Sequence, residues 1–298
     1  MDKHPDFLIM GAMKCATSTL HEQLALQPGF FMSELKEPNF FSNDEQYARG
    51  MDWYLSLFQG APEHSLCGES STHYTKLPTY PNTIDRIGKH LPQVKLIYVM
   101  RHPIDRLVSQ YVHEWSQGRV STDIDRALDS YPQLIEYSRY SRQLQPYFET
   151  FGSQRILPVF FERLFAYPQS ELERICQFLG YSGQPHWHEN LDAQNVSSER
   201  VRRSAWRDAI VEMPLLREIR QHLVPKNIRD WVRGLWTLKQ RPELAPENID
   251  RLRVIFDEDL ALLGGWLGLE LSCDNFKATV KANSSQWVNP PAPVISKR

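Results

Sequence analysis

The sequence is poor in cysteine and has no long hydrophobic run, and these two absences exclude several classes of protein. Its four cysteines are far apart and form no CxxC pair: Cys15, Cys67, Cys176 and Cys273. They therefore predict neither a disulfide framework nor a zinc site. The apolar run that begins at Phe7 turns polar at Lys14, which is too short for a signal-peptide core or a membrane span, and no later window supplies a span. We expect a reduced, cytoplasmic protein with no membrane span.

The sequence also lacks an excess of charge of one sign. Lysine and arginine together number 34, against 36 aspartates and glutamates. This balance gives no general reason to expect nucleic acid or an acidic membrane surface as a partner, so any anion site must be local. The 298 residues are 41% hydrophobic, which is enough for one substantial core, and we favour a single domain.

Three short runs, at 7–10, 94–100 and 156–161, predict buried parallel strands because each is apolar on both faces and leads into a helical pattern. Helix signals follow them, such as a possible capping box of Thr19 and Glu22 and a proline, Pro103, suited to a first helical turn. This repeated order indicates an α/β fold with a central parallel sheet flanked by helices. Ligands of such sheets bind beyond the carboxyl ends of the strands.

The last third of the chain is less regular. Helices are predicted at 225–236 and 246–263, and residues 277–298 are predicted to form a flexible tail, which leaves a domain of residues 1–276. His186 and His188 stand close together but have no partner motif, so we assign no metal site.

The stretch FLIMGAMKCATSTL at 7–20 places a strand, a glycine, a lysine and a helix with hydroxyl residues in succession. Such an arrangement directs backbone N–H groups and the positive end of a helix at one point, where an anion is favoured. It is not a Walker A nucleotide loop, because Lys14 is the third residue after Gly11 and is followed by Cys15. On this stretch alone, an ordinary turn with a solvated lysine is an equal alternative.

Two segments together resemble the sulfotransferases that use 3′-phosphoadenosine 5′-phosphosulfate (PAPS). MKCATSTL at 13–20 resembles the family's 5′-phosphosulfate loop, although Ala16 stands where a glycine is usual. YVMRHPIDRLVSQY at 98–111 resembles the family's 3′-phosphate signature, with Arg101 and Ser109 at its two key positions. Two motifs in order, each at a predicted strand-to-helix junction, are more specific than either alone.

The resemblance extends from residue 7 to about residue 269. KEPNFF at 36–41 and GMDWYLSLF at 50–58 are similar to the branch that includes heparan sulfate sulfotransferases and many bacterial relatives. ILPVFFERL at 156–164 and NVSSERVRRS at 195–204 resemble later family elements, the second being a loop that closes over the nucleotide. In GESSTHY at 68–74, Ser70 replaces a lysine of the heparan enzymes, so the resemblance does not by itself imply a glycosaminoglycan acceptor.

This resemblance implies a P-loop-like fold and a PAPS-dependent sulfotransferase that releases 3′-phosphoadenosine 5′-phosphate (PAP). It implies a set of donor-binding residues: Lys14, Cys15, Ala16, Thr17, Ser18, Thr19, Arg101, Ser109, Arg202 and Arg203. For the two arginines at 202 and 203, a solvated basic turn is an almost equal explanation.

Catalysis is assigned by the same resemblance. Lys14 would neutralise charge on the departing phosphate, and Glu37 would act as general base, with His73 as the rival base. The aromatic residues Phe40, Phe41, Trp53 and Tyr54 are predicted to pack in the core rather than to line a cleft.

The expected acceptor is a hydroxyl, or as second choice an amine, of a small molecule, glycolipid or saccharide. Two other functions stay open at this point: an ATP-dependent kinase of P-loop-like fold and a non-catalytic nucleotide-binding protein. The oligomeric state is not predicted.

Overall fold

The computed structural model describes residues 3–189 and 241–293 of the chain. In this part the strands are β1 (Phe7–Gly11), β2 (Phe30–Met32), β3 (Leu66–Ser70), β4 (Lys95–Met100) and β5 (Ile156–Phe160). The helices up to residue 136 are α1 (Thr17–Ala25), α2 (Asp44–Tyr47), α3 (Met51–Ser56), α4 (Thr83–His90), α5 (Pro103–Ser116), α6 (Ile124–Ser130) and α7 (Gln133–Glu136). Those after it are α8 (Tyr140–Phe151), α9 (Phe161–Ala166), α10 (Pro168–Leu179), α11 (Pro246–Leu267) and α12 (Phe276–Ala282). Short 3₁₀ helices occupy Thr72–Thr75 and Ser153–Arg155.

The strands form one parallel sheet in the order β2-β3-β1-β4-β5, with helices around it. The predicted α/β class and the three predicted strands are confirmed. The sequence did not predict β2 and β3, because β2 has only three residues and β3 contains a glycine, a glutamate and a serine. Since all five strands are parallel, their carboxyl ends meet at one edge of the sheet.

Helix α1 starts earlier than the sequence predicts, and the predicted capping box of Thr19 and Glu22 is wrong. The helix begins at Thr17, and its N-cap, Ala16, has a left-handed conformation (φ 63°, ψ 25°) and makes no side-chain cap hydrogen bond. The turn of the preceding loop, rather than a capping side chain, therefore sets the start of α1. Pro103 does occupy the first turn of α5, as predicted.

Helix α11 is fastened to α8 by one buried carboxylate. Asp259, only 2% exposed, accepts hydrogen bonds from the N–H and the hydroxyl of Ser141 and from the N–H of Arg142, at 3.1, 2.5 and 3.3 Å. These donors lie in the first turn of α8, where helix N–H groups have no intrahelical acceptor. The helix predicted at 246–263 is thus present and four residues longer, whereas the one predicted at 225–236 lies outside the described residues.

The segment predicted to form a flexible tail contacts the domain as far as Asn289. Its first residues complete α12, and the Trp287 Nε1 donates to the carbonyl oxygen of Ile156 across 2.6 Å. The Trp287 ring also meets the Phe148 ring edge-on, with centroids 4.8 Å apart. Trp287 thus anchors the segment at the start of β5. The polar composition of the segment gives no sign of this anchor.

The core lies on both faces of the sheet, and the aromatic residues after β2 belong to it. Phe40, Phe41 and Tyr54 are fully buried, and the Phe40 and Tyr54 rings stack 4.7 Å apart, so the predicted packing role is confirmed for these three. Among the residues that the structure describes, no helix is long and apolar enough to cross a membrane.

Candidate functional site

The loop between β1 and α1 has an unusual left-handed backbone. Lys14 has a φ of 71° and Ala16 a φ of 63°, in a region that favours glycine. The N–H of Cys15 donates to the carbonyl oxygen of Ala12 across 3.2 Å, which closes a tight turn. Because the first amide groups of a helix have no intrahelical acceptor and carry a partial positive charge, the start of α1 and Lys14 favour an anion in the same place.

The loop's side chains differ in what they can offer a ligand. Cys15 is fully buried, and burial raises the pKa of its thiol to about 12, so this residue contributes its backbone N–H alone. Thr17 and Thr19 are also buried, whereas Ser18 is partly exposed. Of the three hydroxyls that the sequence singled out, Ser18 is the one most accessible to a ligand.

Arg101 follows β4 and reaches back to this loop. Its Nη1 donates to the carbonyl oxygen of Lys14 across 3.4 Å, and its guanidinium carbon lies 4.4 Å from the centre of the Phe161 ring. The Tyr140 hydroxyl donates to the carbonyl oxygen of Arg101 at 2.6 Å and accepts from its N–H at 3.2 Å. The two segments predicted to hold the donor are therefore in direct contact.

Arg106, which the sequence analysis did not single out, supports the loop from inside the protein. It is fully buried, and its guanidinium donates to the Met13 carbonyl oxygen at 3.5 Å and to the Ser138 hydroxyl at 2.5 Å. It also donates to the Gln110 side chain and the Leu134 carbonyl oxygen, at 2.7 and 2.9 Å. Its position within the arginine-containing motif at 98–111 was the available signal.

Glu37 lies beyond the end of β2 and beside the end of β3. Its N–H donates to the carbonyl oxygen of Ser70 across 3.0 Å, and the Thr72 hydroxyl donates to its two carboxylate oxygens at 3.4 and 3.3 Å. Its φ of 53° is left-handed, as at Lys14. The backbone at Lys14 and at Glu37 is thus held in a conformation that L-residues adopt only when their surroundings enforce it.

The neighbours of Glu37 connect it to the rest of the site. The Lys36 Nζ donates to the Ser18 hydroxyl on α1. On the other side, the Asn39 N–H donates to the Ser71 hydroxyl at 3.0 Å, and its side-chain amide donates to the Glu37 carbonyl oxygen at 2.9 Å. The segment that carries Glu37 is therefore tied both to the phosphate loop's helix and to the end of β3.

Glu69 is a fully buried carboxylate below this segment, and the sequence analysis gave it no role. It accepts hydrogen bonds from the hydroxyls of Tyr74, Ser71 and Tyr54 at 2.6, 2.8 and 3.2 Å. Burial raises the pKa of Glu69 to about 7, although these three hydrogen bonds oppose the shift. Through Ser71 it fixes Asn39, and so it acts as a positioning residue for Glu37.

His73, the rival base, lies in the 3₁₀ helix Thr72–Thr75. Its ring stacks on that of Tyr80, with centroids 4.7 Å apart and an angle of 14° between the planes. Burial, followed by the charges of Lys76 and Arg119, lowers the pKa of His73 to about 4, so its ring is neutral at pH 7. Such a group is a weak base near neutral pH, and the role of general base stays a prediction for both Glu37 and His73.

Lys76 also lies at this edge of the sheet, just after the 3₁₀ helix, and sequence reasoning missed it. The residue is only 8% exposed, and its ammonium lies 5.9 Å from the centre of the Tyr137 ring. Burial lowers the pKa of Lys76 to about 8, and the negative charge of Glu37 is the strongest influence in the opposite direction. In the sequence it is a single lysine before a Leu-Pro pair, with no pattern to mark it.

Ser70, where the resemblance expects a lysine, is engaged in a neutral pair. Its hydroxyl lies 2.8 Å from the His21 Nδ1, and both side chains are buried. Burial lowers the pKa of His21 to about 4, and Lys36 contributes in the same direction. This position therefore carries no cation near pH 7.

The remaining predicted donor residues stay predictions. Ser109 lies in the second turn of α5 and is partly exposed. Arg202 and Arg203, with the loop at 195–204, lie outside the described residues. Within residues 3–189 and 241–293 there is no cluster of three or more side chains suited to hold a metal ion.

Two curated relatives match part of this chain. A human bifunctional heparan sulfate N-deacetylase/N-sulfotransferase 2 is 29% identical over 201 residues, which cover 60% of this chain and 22% of the relative. A mouse heparan sulfate glucosamine 3-O-sulfotransferase 3A1 is 29% identical over 185 residues, 59% of this chain and 46% of the relative. The chain thus spans less than half the length of these relatives.

A solved structure and a family model match most of the chain. The crystal structure of a sulfotransferase from Alicyclobacillus acidocaldarius superimposes with a TM-score of 0.64 at 22% identity and covers 90% of this chain and 98% of that one, which shows a shared fold. The family model for the sulfotransferase domain matches residues 4–264. The chain therefore belongs to the sulfotransferase domain family.

Proposed function

We propose that the chain transfers the sulfuryl group of PAPS to an acceptor hydroxyl. The observation that carries the proposal is the junction of three segments at the carboxyl edge of the sheet. Arg101 contacts the backbone of Lys14, and the residue before Glu37 contacts Ser18 on the helix that follows Lys14. These contacts connect Lys14 as the charge stabiliser, Arg101 as a second cation and Glu37 as the base in one proposed site.

The residues present fit a donor with two anionic ends. Lys14, the left-handed loop and the start of α1 suit the 5′-phosphosulfate, because a lysine and free helix N–H groups both favour negative charge. Arg101 and Ser109 are proposed to hold the 3′-phosphate, since a guanidinium fork matches phosphate geometry. When bound, PAPS supplies the sulfuryl group and a phosphate leaving group.

The protein's part in the reaction is electrostatic stabilisation, positioning and proton transfer. Lys14 stabilises negative charge on the departing phosphate oxygen, as preorganised charges do in related phosphoryl transfers. Glu37 accepts the proton of the acceptor hydroxyl, and Thr72 orients its carboxylate. Glu69 keeps the segment that carries Glu37 in position, through the hydrogen bonds that link it to Ser71 and Ser71 to Asn39.

For the acceptor we propose a hydroxyl of a saccharide, glycolipid or small molecule, with an amine as the second choice. The names of the two relatives describe sulfotransferases of heparan sulfate, which supports a saccharide. A cytoplasmic location is likewise a proposal. The four cysteines, all buried and unpaired, support it because thiols persist in reducing compartments.

Two measurements test the proposal. In calorimetry, PAP should bind without magnesium and more tightly than ADP, and the opposite preference would instead indicate a kinase. In the second, the protein is incubated with ³⁵S-labelled PAPS and extracts of its source cells, and a labelled product is expected. Binding of PAP without transfer to any acceptor would indicate a non-catalytic nucleotide-binding protein.

A further inference from the structure

Two largely buried cationic side chains lie near the site, and only one of them donates hydrogen bonds to residues of the described ranges. Arg106 is fully buried and donates to four acceptors, described above. Lys76 is only 8% exposed as a residue, and no hydrogen bond or ion pair joins its ammonium to a residue of the described ranges. Its Nζ is not one of the fully enclosed side-chain atoms without a partner, so the lysine is buried along its stem rather than sealed in at its ammonium. An ammonium in this position has N–H groups to donate to an anionic ligand.

The position of Lys76 is fixed by its backbone neighbours. Thr75 donates its hydroxyl to the Met10 carbonyl oxygen of β1 across 2.9 Å. Leu77 donates its N–H to the Gln143 side chain at 2.8 Å, and the same side chain donates back to the Leu77 carbonyl oxygen at 2.9 Å. The lysine is therefore held at this edge of the sheet from both sides rather than carried on a loose loop.

No ion pair with a described residue neutralises Lys76, although the carboxylates of Glu37 and Glu114 favour its charged form from a distance. The neighbouring Arg119 is already paired with Glu114 across 3.0 Å. Glu37 influences Lys76 but makes no ion pair with it within 4 Å. The His73 Nδ1, close by, is buried and has no hydrogen-bond partner among the described residues. The main group that can bind a ligand at this place is thus the Lys76 ammonium, which donates hydrogen bonds and accepts none.

We propose that Lys76 binds an anionic group of the acceptor, a carboxylate or a sulfate ester, close to the hydroxyl that Glu37 deprotonates. The inference rests on the proposed function, because it takes Glu37 as the mark of the acceptor side. A desolvated ammonium attracts an anion far more strongly than an exposed one, and the hydrogen bonds it forms with the anion are charge-assisted. Lys76 is then a specificity-determining residue that selects acidic acceptors over neutral ones.

The first test needs no acceptor. The protein is saturated with PAP and titrated with sodium sulfate at constant ionic strength, for the wild type, Lys76→Met and a control, Lys89→Met. Lys89 is an exposed lysine in the last turn of α4, so its loss removes the same charge elsewhere. We expect sulfate affinity to fall at least tenfold in Lys76→Met and to stay unchanged in Lys89→Met. Equal affinity in all three proteins would overturn the proposal.

Thermal unfolding of the same variants separates ligand binding from a structural role. Replacing this largely buried lysine, which makes no ion pair with a described residue, with methionine of similar length should leave the unfolding midpoint unchanged or raise it. A clear loss of stability in Lys76→Met would instead show that the lysine stabilises the fold, and would overturn the proposal. The affinity for PAP is measured on the same variants and reports on the donor site alone. A protein that does not bind PAP would contradict the proposed function, whereas the sulfate titration tests the role of Lys76.

The second test compares two acceptors that differ only in charge. A heparosan hexasaccharide and its carboxyl methyl ester, which removes the negative charge without adding a hydroxyl, are offered with labelled PAPS. The wild type should sulfate the acidic form with at least tenfold higher kcat/KM, and Lys76→Met should lose this preference mainly through a higher KM. A preference that persists in Lys76→Met would contradict the proposal. If neither saccharide is sulfated, the sulfate titration decides by itself.

Discussion

The Arg101 Nη1 donates to the carbonyl oxygen of Lys14 across 3.4 Å, although 87 positions separate the two residues in the chain. The contact forms because β1 and β4 are adjacent parallel strands, so that the loops after them emerge side by side. A double anion bound there would meet one cation from each loop.

Replacing Lys14 with alanine should lower turnover by about 100-fold or more, because a preorganised positive charge stabilises the leaving phosphate most strongly in the transition state. The measurement is the steady-state rate with labelled PAPS. Lys89→Ala, which removes an exposed lysine far along the chain, is the control and should keep the wild-type rate. A wild-type rate in Lys14→Ala would remove this residue from the mechanism.

The double variant Arg101→Ala, Ser109→Ala should weaken PAP binding by about 10- to 100-fold, the range expected when a charge-assisted hydrogen bond worth about 1.5–3 kcal/mol is lost. Calorimetry gives the affinity. Arg101→Lys keeps the charge but not the guanidinium fork and should fall between the wild type and the double variant. Unchanged PAP affinity in the double variant would mean that the 3′-phosphate lies elsewhere.

Glu37→Gln should lower kcat by about 10²- to 10⁴-fold and leave PAP affinity near that of the wild type, since a general base acts on the acceptor and not on the nucleotide. Glu34→Gln, at an exposed position three residues earlier, is the matched control. His73→Gln should change kcat only a few-fold. The opposite ranking of Glu37→Gln and His73→Gln would make the histidine the base.

Glu69 should make the folded protein less stable as the pH rises. Its pKa is raised from 4.5 to about 7 on folding, so between these values the folded state holds a proton that the unfolded state has released. The stabilisation from this group is complete below about pH 4.5 and is lost as the pH rises through about 7.

The measurement is the free energy of unfolding from pH 4.5 to 8 for the wild type and Glu69→Gln, in which the group no longer titrates. The wild type should lose stability relative to the variant over this interval. Parallel curves for the two proteins would show that the carboxylate is ionised throughout, with Tyr54, Tyr74 and Ser71 outweighing the effect of burial.

The positions of the two residues proposed to bind the donor were largely readable from the sequence. Lys14 and Arg101 follow apolar strands in motifs of contiguous residues, and a parallel sheet brings the ends of its strands to one edge. The prediction placed both residues correctly at strand ends, and their contact follows from the strand order. The start of α1 was not readable, because the left-handed backbone at Ala16 depends on bonds made by the rest of the loop.

The sequence by itself determined the α/β class, the three apolar strands and the loops that end in Lys14 and Arg101, because each is encoded by neighbouring residues with one periodicity. Only the tertiary structure decided which polar residues support the site and which of them are buried. In the sequence, Arg106, Glu69 and Lys76 look like ordinary surface residues. Each has its role because folding buries it among residues that are distant in the chain.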